Sequence, residues 1–135
     1  MSKTAQLVEQ VCTELDVETP ELEKKSSFTF RLNQDVSIEI RDLDPGCAFF
    51  SRLHPFPQMR REELLIELMR ANHLGQLTGK THIGLSEDEK FLTLSAALPY
   101  EINYQTFRES LEDFVNFLLY WREEVKKHES QQAIM

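Results

Sequence analysis

Residues 62–98 constrain the fold of this chain most, because an apolar helical segment is followed there by a hairpin pattern. At about 100° per residue, the apolar side chains of the helical segment spread over roughly 200° of its surface. That arc is wider than the stripe that one hydrophobic core covers, so we expect a second copy of the chain to cover the remainder. The five apolar residues are Leu64, Leu65, Ile66, Leu68 and Met69.

The second half of this stretch predicts two antiparallel strands. Gly75 or Gly79 is expected to end the helix, and residues 86–90 form the turn of the hairpin. Pro99 closes it. The alternating positions are Thr81, Ile83 and Leu85 in the first strand, and Leu92, Leu94, Ala96 and Leu98 in the second.

The N-terminal half predicts one amphipathic helix and a three-stranded meander. The helix repeats apolar residues at helical spacing and cannot extend through Thr19–Pro20, so residues 18–25 are expected to be a linker. Three alternating runs follow, separated by turn signals at residues 33–35 and 44–46. The apolar positions are Leu7, Val8, Val11, Cys12 and Leu15 in the helix, then Phe28, Phe30, Leu32, Val36, Ile38, Ile40, Cys47, Phe49 and Leu53 in the strands.

The C-terminal segment predicts a third helix with Asn103 as its N-cap. From Lys126 onward the sequence is polar without a period, so we expect a disordered tail over residues 126–135 after a single domain at 1–125. The predicted order α-β-β-β-α-β-β-α is an α+β fold, an antiparallel sheet with three helices. The apolar line of the last helix is Phe107, Leu111, Phe114, Leu118, Trp121 and Val125.

Composition excludes two classes of partner. The formal net charge is −8, and the basic residues are scattered among acids, which argues against nucleic acid. No window approaches the ~20 apolar residues of a membrane span, and the first ten residues lack the apolar run of a signal peptide. We therefore expect a cytosolic protein whose Cys12 and Cys47 are buried structural residues.

No catalytic, cofactor-binding or metal-binding residues are predicted. The four histidines, at positions 54, 73, 82 and 128, lack the spacing that metal ligation uses, and the carboxylate pairs fall on expected solvated surfaces. Gly79-Lys80-Thr81 echoes the end of a phosphate-binding loop. It follows a helix and precedes a strand, which is the reverse of the order that such a loop requires.

One diffuse motif in the helix–hairpin stretch resembles a known family. The Tir-chaperone (CesT-like) family, the class I chaperones of bacterial type III secretion, is similar to this chain in element order over residues 3–125. The small size and acidic character fit that family too. The residues that carry the resemblance are Glu63-Leu64-Leu65, Arg70-Ala71-Asn72-His73-Leu74-Gly75-Gln76, Gly79, Ile83-Gly84-Leu85, Leu92-Thr93-Leu94 and Leu98-Pro99.

The resemblance implies a bacterial cytosolic homodimer that is not an enzyme. It would hold the N-terminal segment of secreted effectors in a partly extended, secretion-competent form without ATP, with the secretion ATPase as a further expected partner. The implied dimer contacts are Leu65, Met69, Thr81, Ile83 and Leu85. The implied cargo contacts are Leu7, Val11, Phe28, Phe30 and Leu32, for which core packing is the alternative interpretation.

Strand addition explains how such a protein could bind an extended peptide. We hypothesise that residues 27–32 form a sheet edge that accepts cargo through backbone hydrogen bonds. Two other classes stay open. A small enzyme would require a buried carboxylate or histidine in a pocket, and an adaptor or anti-activator that binds a folded regulatory protein would require a large flat surface.

Overall fold

Three helices and five strands make up the structure, a computed structural model that describes residues 3–20, 27–43, 45–74 and 81–134. Their order matches the predicted order. The predicted helix stop at Gly75 or Gly79 and most of the predicted linker lie outside the described residues. The elements are α1 (Lys3–Leu15), β1 (Ser27–Arg31), β2 (Ser37–Asp42), β3 (Cys47–Pro55), α2 (Arg61–Leu74), β4 (His82–Leu85), β5 (Phe91–Leu98) and α3 (Tyr104–Ile134).

All five strands join one antiparallel sheet in the order β1-β2-β3-β5-β4. The meander and the hairpin are both present as predicted. They are joined by pairing of β3 with β5, which runs from Cys47 opposite Leu98 to Pro55 opposite Phe91. Among the described residues, β1 and β4 are therefore the edge strands.

The core lies between one face of this sheet and the helices α1 and α3. Phe49 of β3 is 1% exposed, and its ring centroid lies 5.8 Å from that of Phe107 and 5.6 Å from that of Phe114. The predicted apolar line of α3 is buried throughout, as are Leu7, Val8, Val11 and Cys12 of α1. Burial of this alternating strand face against two helical stripes is the main stabilising contribution to the fold.

The wide apolar arc of α2 is divided between two environments. Leu64, Leu68 and Ala71 are buried in the core of the same chain. Ile66 and Met69 are 51% and 66% exposed. One stripe of the helix therefore completes the domain, and the other is an apolar surface of the single chain.

The prediction of an irregular tail from Lys126 is corrected by the structure, in which α3 continues to Ile134. His128 is buried and lies three residues after Val125, so it extends the buried line of the helix by one turn. Glu129 on the next position approaches His54 of β3, with 3.2 Å between Oε1 and Nε2. The buried position that follows Val125 on this line is a histidine rather than an apolar residue, so the apolar periodicity did not show that the helix continues.

Within the described residues, no helix is both long and apolar enough to span a membrane.

Candidate functional site

An apolar groove lies beside the edge strand β1, between α1 and α3. Its volume is about 380 Å³. Of the five predicted cargo residues, the structure places Val11, Phe30 and Leu32 in its wall. The remaining lining residues, which the sequence prediction did not include, are Leu15, Arg108, Leu111, Glu112, Val115 and Asn116.

The other two predicted cargo residues, Leu7 and Phe28, are buried and do not line this groove. Val11 and Phe30 are also almost fully buried, so they form the floor of the groove and belong to the core at the same time. Leu15, 45% exposed, and half-buried Val115 offer more accessible apolar surface at its sides. Helical spacing could have identified Leu15, since it lies four residues after Val11 on α1.

Polar side chains lie at the rim of the groove on α3. Arg108 and Glu112 are both exposed, one turn apart. The Arg108 guanidinium is 3.5 Å from the Glu14 carboxylate of α1, and Glu14 also accepts a hydrogen bond from the Tyr104 hydroxyl. Partial burial and the hydrogen bond to Glu14 raise the pKa of Tyr104 to about 12. These contacts hold α1 and α3 together at the border of the groove.

The backbone of β1 presents hydrogen-bonding groups beside the groove. The Leu32 N–H donates to the Val36 carbonyl oxygen at 3.0 Å, and the register places Phe30 opposite Ile38. Because bonded pairs alternate in an antiparallel ladder, the N–H and C=O groups of Thr29 and Arg31 point away from β2. On that side of β1 the described residues form no further strand.

The predicted dimer residues fall into two groups. Met69 is 66% exposed and Leu85 is 39% exposed, whereas Leu65 is half-buried. Thr81 and Ile83 are buried within the single chain. Ile66 was part of the predicted apolar arc but was not among the predicted contacts, and its exposure of 51% places it on the same helix surface.

The two cysteines are unsuited to nucleophilic chemistry. Burial and the nearby Asp42 carboxylate raise the pKa of Cys47 to about 12, and burial also raises the pKa of Cys12. Both thiols therefore stay protonated at neutral pH, and the thiolate is the reactive form. Among the described residues, no three histidine, cysteine or acidic side chains are grouped as metal ligation requires.

A second cleft, of about 510 Å³, lies beside β3, and its lining combines charged side chains with the apolar residues Leu53, Pro55, Phe91 and Leu119. Its lining includes Arg52, whose guanidinium lies 4.4 Å from the ring centroid of Phe91, and Lys126, which pairs with Glu123 at 3.4 Å. Since these charges already contact neighbours in the same chain, the apolar groove beside β1 is the better candidate for a binding site.

Comparisons with known proteins show the same fold in solved structures of complexes. A chain of the ExsC–ExsE complex has a TM-score of 0.74 at 12% identity, with 90% of this chain and 92% of that chain covered. A chain of the HopA1–SchA chaperone–effector complex has a TM-score of 0.67 at 12% identity, with 91% of this chain and 98% of that chain covered. A chain of the complex between the Yersinia pestis type III secretion chaperone SycH and a stable fragment of YscM2 has a TM-score of 0.65 at 17% identity, with 86% of this chain and 97% of that chain covered.

A comparison with curated proteins gave no significant match. The sequence model of the Tir chaperone protein (CesT) family matches residues 6–122, from α1 through most of α3. The chain therefore belongs to the Tir chaperone protein (CesT) family, the class I chaperones of type III secretion.

Proposed function

We propose that this chain binds the N-terminal segment of one or more secreted effectors in the bacterial cytoplasm and keeps it partly extended, without ATP. The observation that carries the proposal is the apolar groove lying directly beside the outward-facing backbone of β1. The family supports it. The structural similarity to a chain of the HopA1–SchA chaperone–effector complex is consistent with it.

Strand addition at β1 would use two features at once. An extended segment of cargo would form backbone hydrogen bonds along β1, with Arg31 among the outward-facing residues, and place alternate apolar side chains in the groove. The groove would then select for side-chain size and apolarity, while the backbone bonds are independent of sequence. Ordering a disordered segment takes up about 2–5 kcal/mol of the interaction energy, so binding is specific yet releasable.

The proposed working unit is a homodimer. The exposed apolar side chains of Ile66 and Met69 on α2 and of Leu85 on β4 support it, because a second copy would remove them from water. Two copies present two grooves. A long effector segment could then contact both protomers, and the secretion ATPase is the partner proposed for its release.

A matched pair of leucine variants tests the groove. Cargo is first identified by pull-down from the native host with peptide mapping, and its N-terminal segment is then titrated against purified variants. Leu15→Glu places a charge in the groove, and we expect at least about a tenfold loss of affinity. Leu43→Glu changes a leucine of similar exposure that does not line the groove, and its affinity should match that of the original chain.

A proline on β1 tests strand addition separately. Arg31→Pro removes an N–H that points away from β2, which an edge strand tolerates. We expect weaker cargo binding, together with slower exchange of the Thr29 and Arg31 amides in the original chain when cargo is bound. If tight cargo binding protects other elements and leaves residues 27–32 exchanging as before, strand addition at β1 is wrong.

An adaptor that binds a folded regulatory protein is the alternative. Such a partner would need a broad surface rather than a groove. A binding measurement with the isolated N-terminal segment of the partner separates the two functions. A chaperone binds this segment, whereas an adaptor requires the folded partner. Binding only to the intact, folded partner would favour the adaptor.

A further inference from the structure

The second edge of the sheet is closed by one side chain of α2. The Asn72 side-chain nitrogen donates to the Ile83 carbonyl oxygen at 2.8 Å, and the Ile83 N–H donates to the Asn72 side-chain oxygen, also at 2.8 Å. A carboxamide carries both a donor and an acceptor, so it can replace the peptide group of a neighbouring strand. Asn72 thus satisfies both backbone groups of Ile83.

The register shows how much of the β4 edge this pair of bonds occupies. The Ser86 N–H donates to the Phe91 carbonyl at 2.9 Å, and Ile83 lies opposite Leu94. Because bonded pairs alternate, the outward-facing residues of β4 are Ile83 and Leu85. An added strand needs successive outward-facing residues, and Asn72 takes one of these two.

The opposite edge differs. In β1 the outward-facing residues are Thr29 and Arg31, and their side chains alternate with the buried Phe28 and Phe30. Beside β1 lies the apolar groove, whereas α2 lies beside β4. The sheet therefore combines an edge that Asn72 occupies with an edge that adjoins an apolar groove.

We propose that Asn72 determines where a peptide strand adds, by closing the β4 edge and so confining addition to β1. The proposal rests on the proposed function, in which cargo adds as a strand. It also has a consequence for assembly, because two copies cannot join their sheets through β4 while Asn72 holds Ile83. Contact between copies at α2 and β4 would then be made by side chains.

Hydrogen exchange of the free protein provides the first readout. Asn72→Ala removes both bonds, and the Ile83 amide should exchange at least about fivefold faster, the factor that loss of one ordinary hydrogen bond supplies. Asn72→Leu keeps the approximate size but has neither a donor nor an acceptor, and it serves if the alanine variant does not fold. Glu67→Ala, an exposed position on the same helix, is the matched control and should leave the Ile83 exchange rate unchanged.

An added peptide distinguishes a role of Asn72 in blocking strand addition from a purely structural role. A short synthetic peptide of alternating valine and threonine is mixed with each protein, and amide exchange is measured again. We expect the Ile83 and Leu85 amides to become protected by the peptide in the Asn72 variants only. Protection of β4 in the original chain, or no gain of protection in a folded Asn72 variant, would overturn the proposal.

The same data separate this proposal from the proposed function. Protection of the Thr29 and Arg31 amides reports addition at β1, whereas protection of Ile83 and Leu85 reports opening of β4. A gain at β4 in the variants without protection at β1 would support the role of Asn72 and contradict cargo addition at β1.

Discussion

Replacement of Arg122 tests how α3 is attached to the sheet. Its guanidinium donates three hydrogen bonds to backbone carbonyl oxygens, which lie in two segments of the chain. The register of β3 against β5 shifts between Arg52 and His54, and this irregularity leaves carbonyl groups available to α3. The bonds are Nε to Leu53 at 2.8 Å, Nη1 to Asp35 at 2.7 Å and Nη2 to Arg52 at 2.9 Å.

The expected loss of stability follows from these three bonds. A hydrogen bond from a charged donor contributes about 1.5–3 kcal/mol, but bonds that share one donor group are not additive. The side chain is only partly buried, so water can reach some of the carbonyl groups after truncation. We therefore expect Arg122→Ala to lower the free energy of unfolding by about 2–4 kcal/mol. Arg122→Lys should lose about 1–2 kcal/mol, because an ammonium lacks the planar fork that reaches three acceptors.

Urea denaturation followed by circular dichroism measures both losses. Protein concentration must be the same for all variants, because dimerisation would make the apparent stability concentration-dependent. Lys127→Ala is the control on the same helix, since its ion pair with Glu124 at 3.4 Å is exposed and should contribute less than about 1 kcal/mol. A loss below about 1 kcal/mol for Arg122→Ala, or a lysine variant as stable as the original chain, would refute the reasoning.

Three further predictions concern the dimer, a turn and a buried thiol. Met69→Glu should convert a homodimer to monomers or unfold it, and light scattering that finds a stable monomer of the original chain at micromolar concentration would contradict the dimer. Gly46→Ala should cost at least about 4 kcal/mol or prevent folding, as measured by thermal melting, since its φ is +86° and an added Cβ would lie 1.8 Å from the Leu98 carbonyl oxygen. The Cys47 thiol, with its pKa raised to about 12 by burial and by Asp42, should resist iodoacetamide in the native protein. Because the folded state keeps this proton where the unfolded state releases it, stability should fall as pH rises from about 9 to 12, and a flat pH profile in urea melts would contradict the assignment.

The periodicity of the sequence predicted those elements whose burial repeats along the chain. In β1 and β2, apolar residues alternate with polar ones, so the strands and their buried face could be read directly. The apolar line of α3 was equally clear up to Val125. Prediction failed beyond that residue because His128, a titratable side chain, occupies the next buried position.

The candidate site was predictable only in part. Phe30 and Leu32 were expected near cargo, but the same alternation is produced by simple core packing, and periodicity does not separate the two. In the structure Phe28 lies away from the groove, whereas Phe30 lines its floor and is buried in the core at the same time. More than half of the lining residues come from α3, which lies far from β1 along the chain. Local patterns do not predict which distant segments come into contact.

The sequence by itself determined the order of helices and strands, the faces that are buried, and the excess of apolar surface on α2. Each of these depends on neighbours within a few residues, where helical and strand periods act. Only the tertiary structure decided that β3 pairs with β5, that Arg122 joins α3 to two backbone segments, and that Asn72 closes the β4 edge. These contacts join residues distant in sequence through single polar groups, and a lone arginine or asparagine leaves no periodic signal. Their geometry exists only after the hydrophobic faces have brought the elements together.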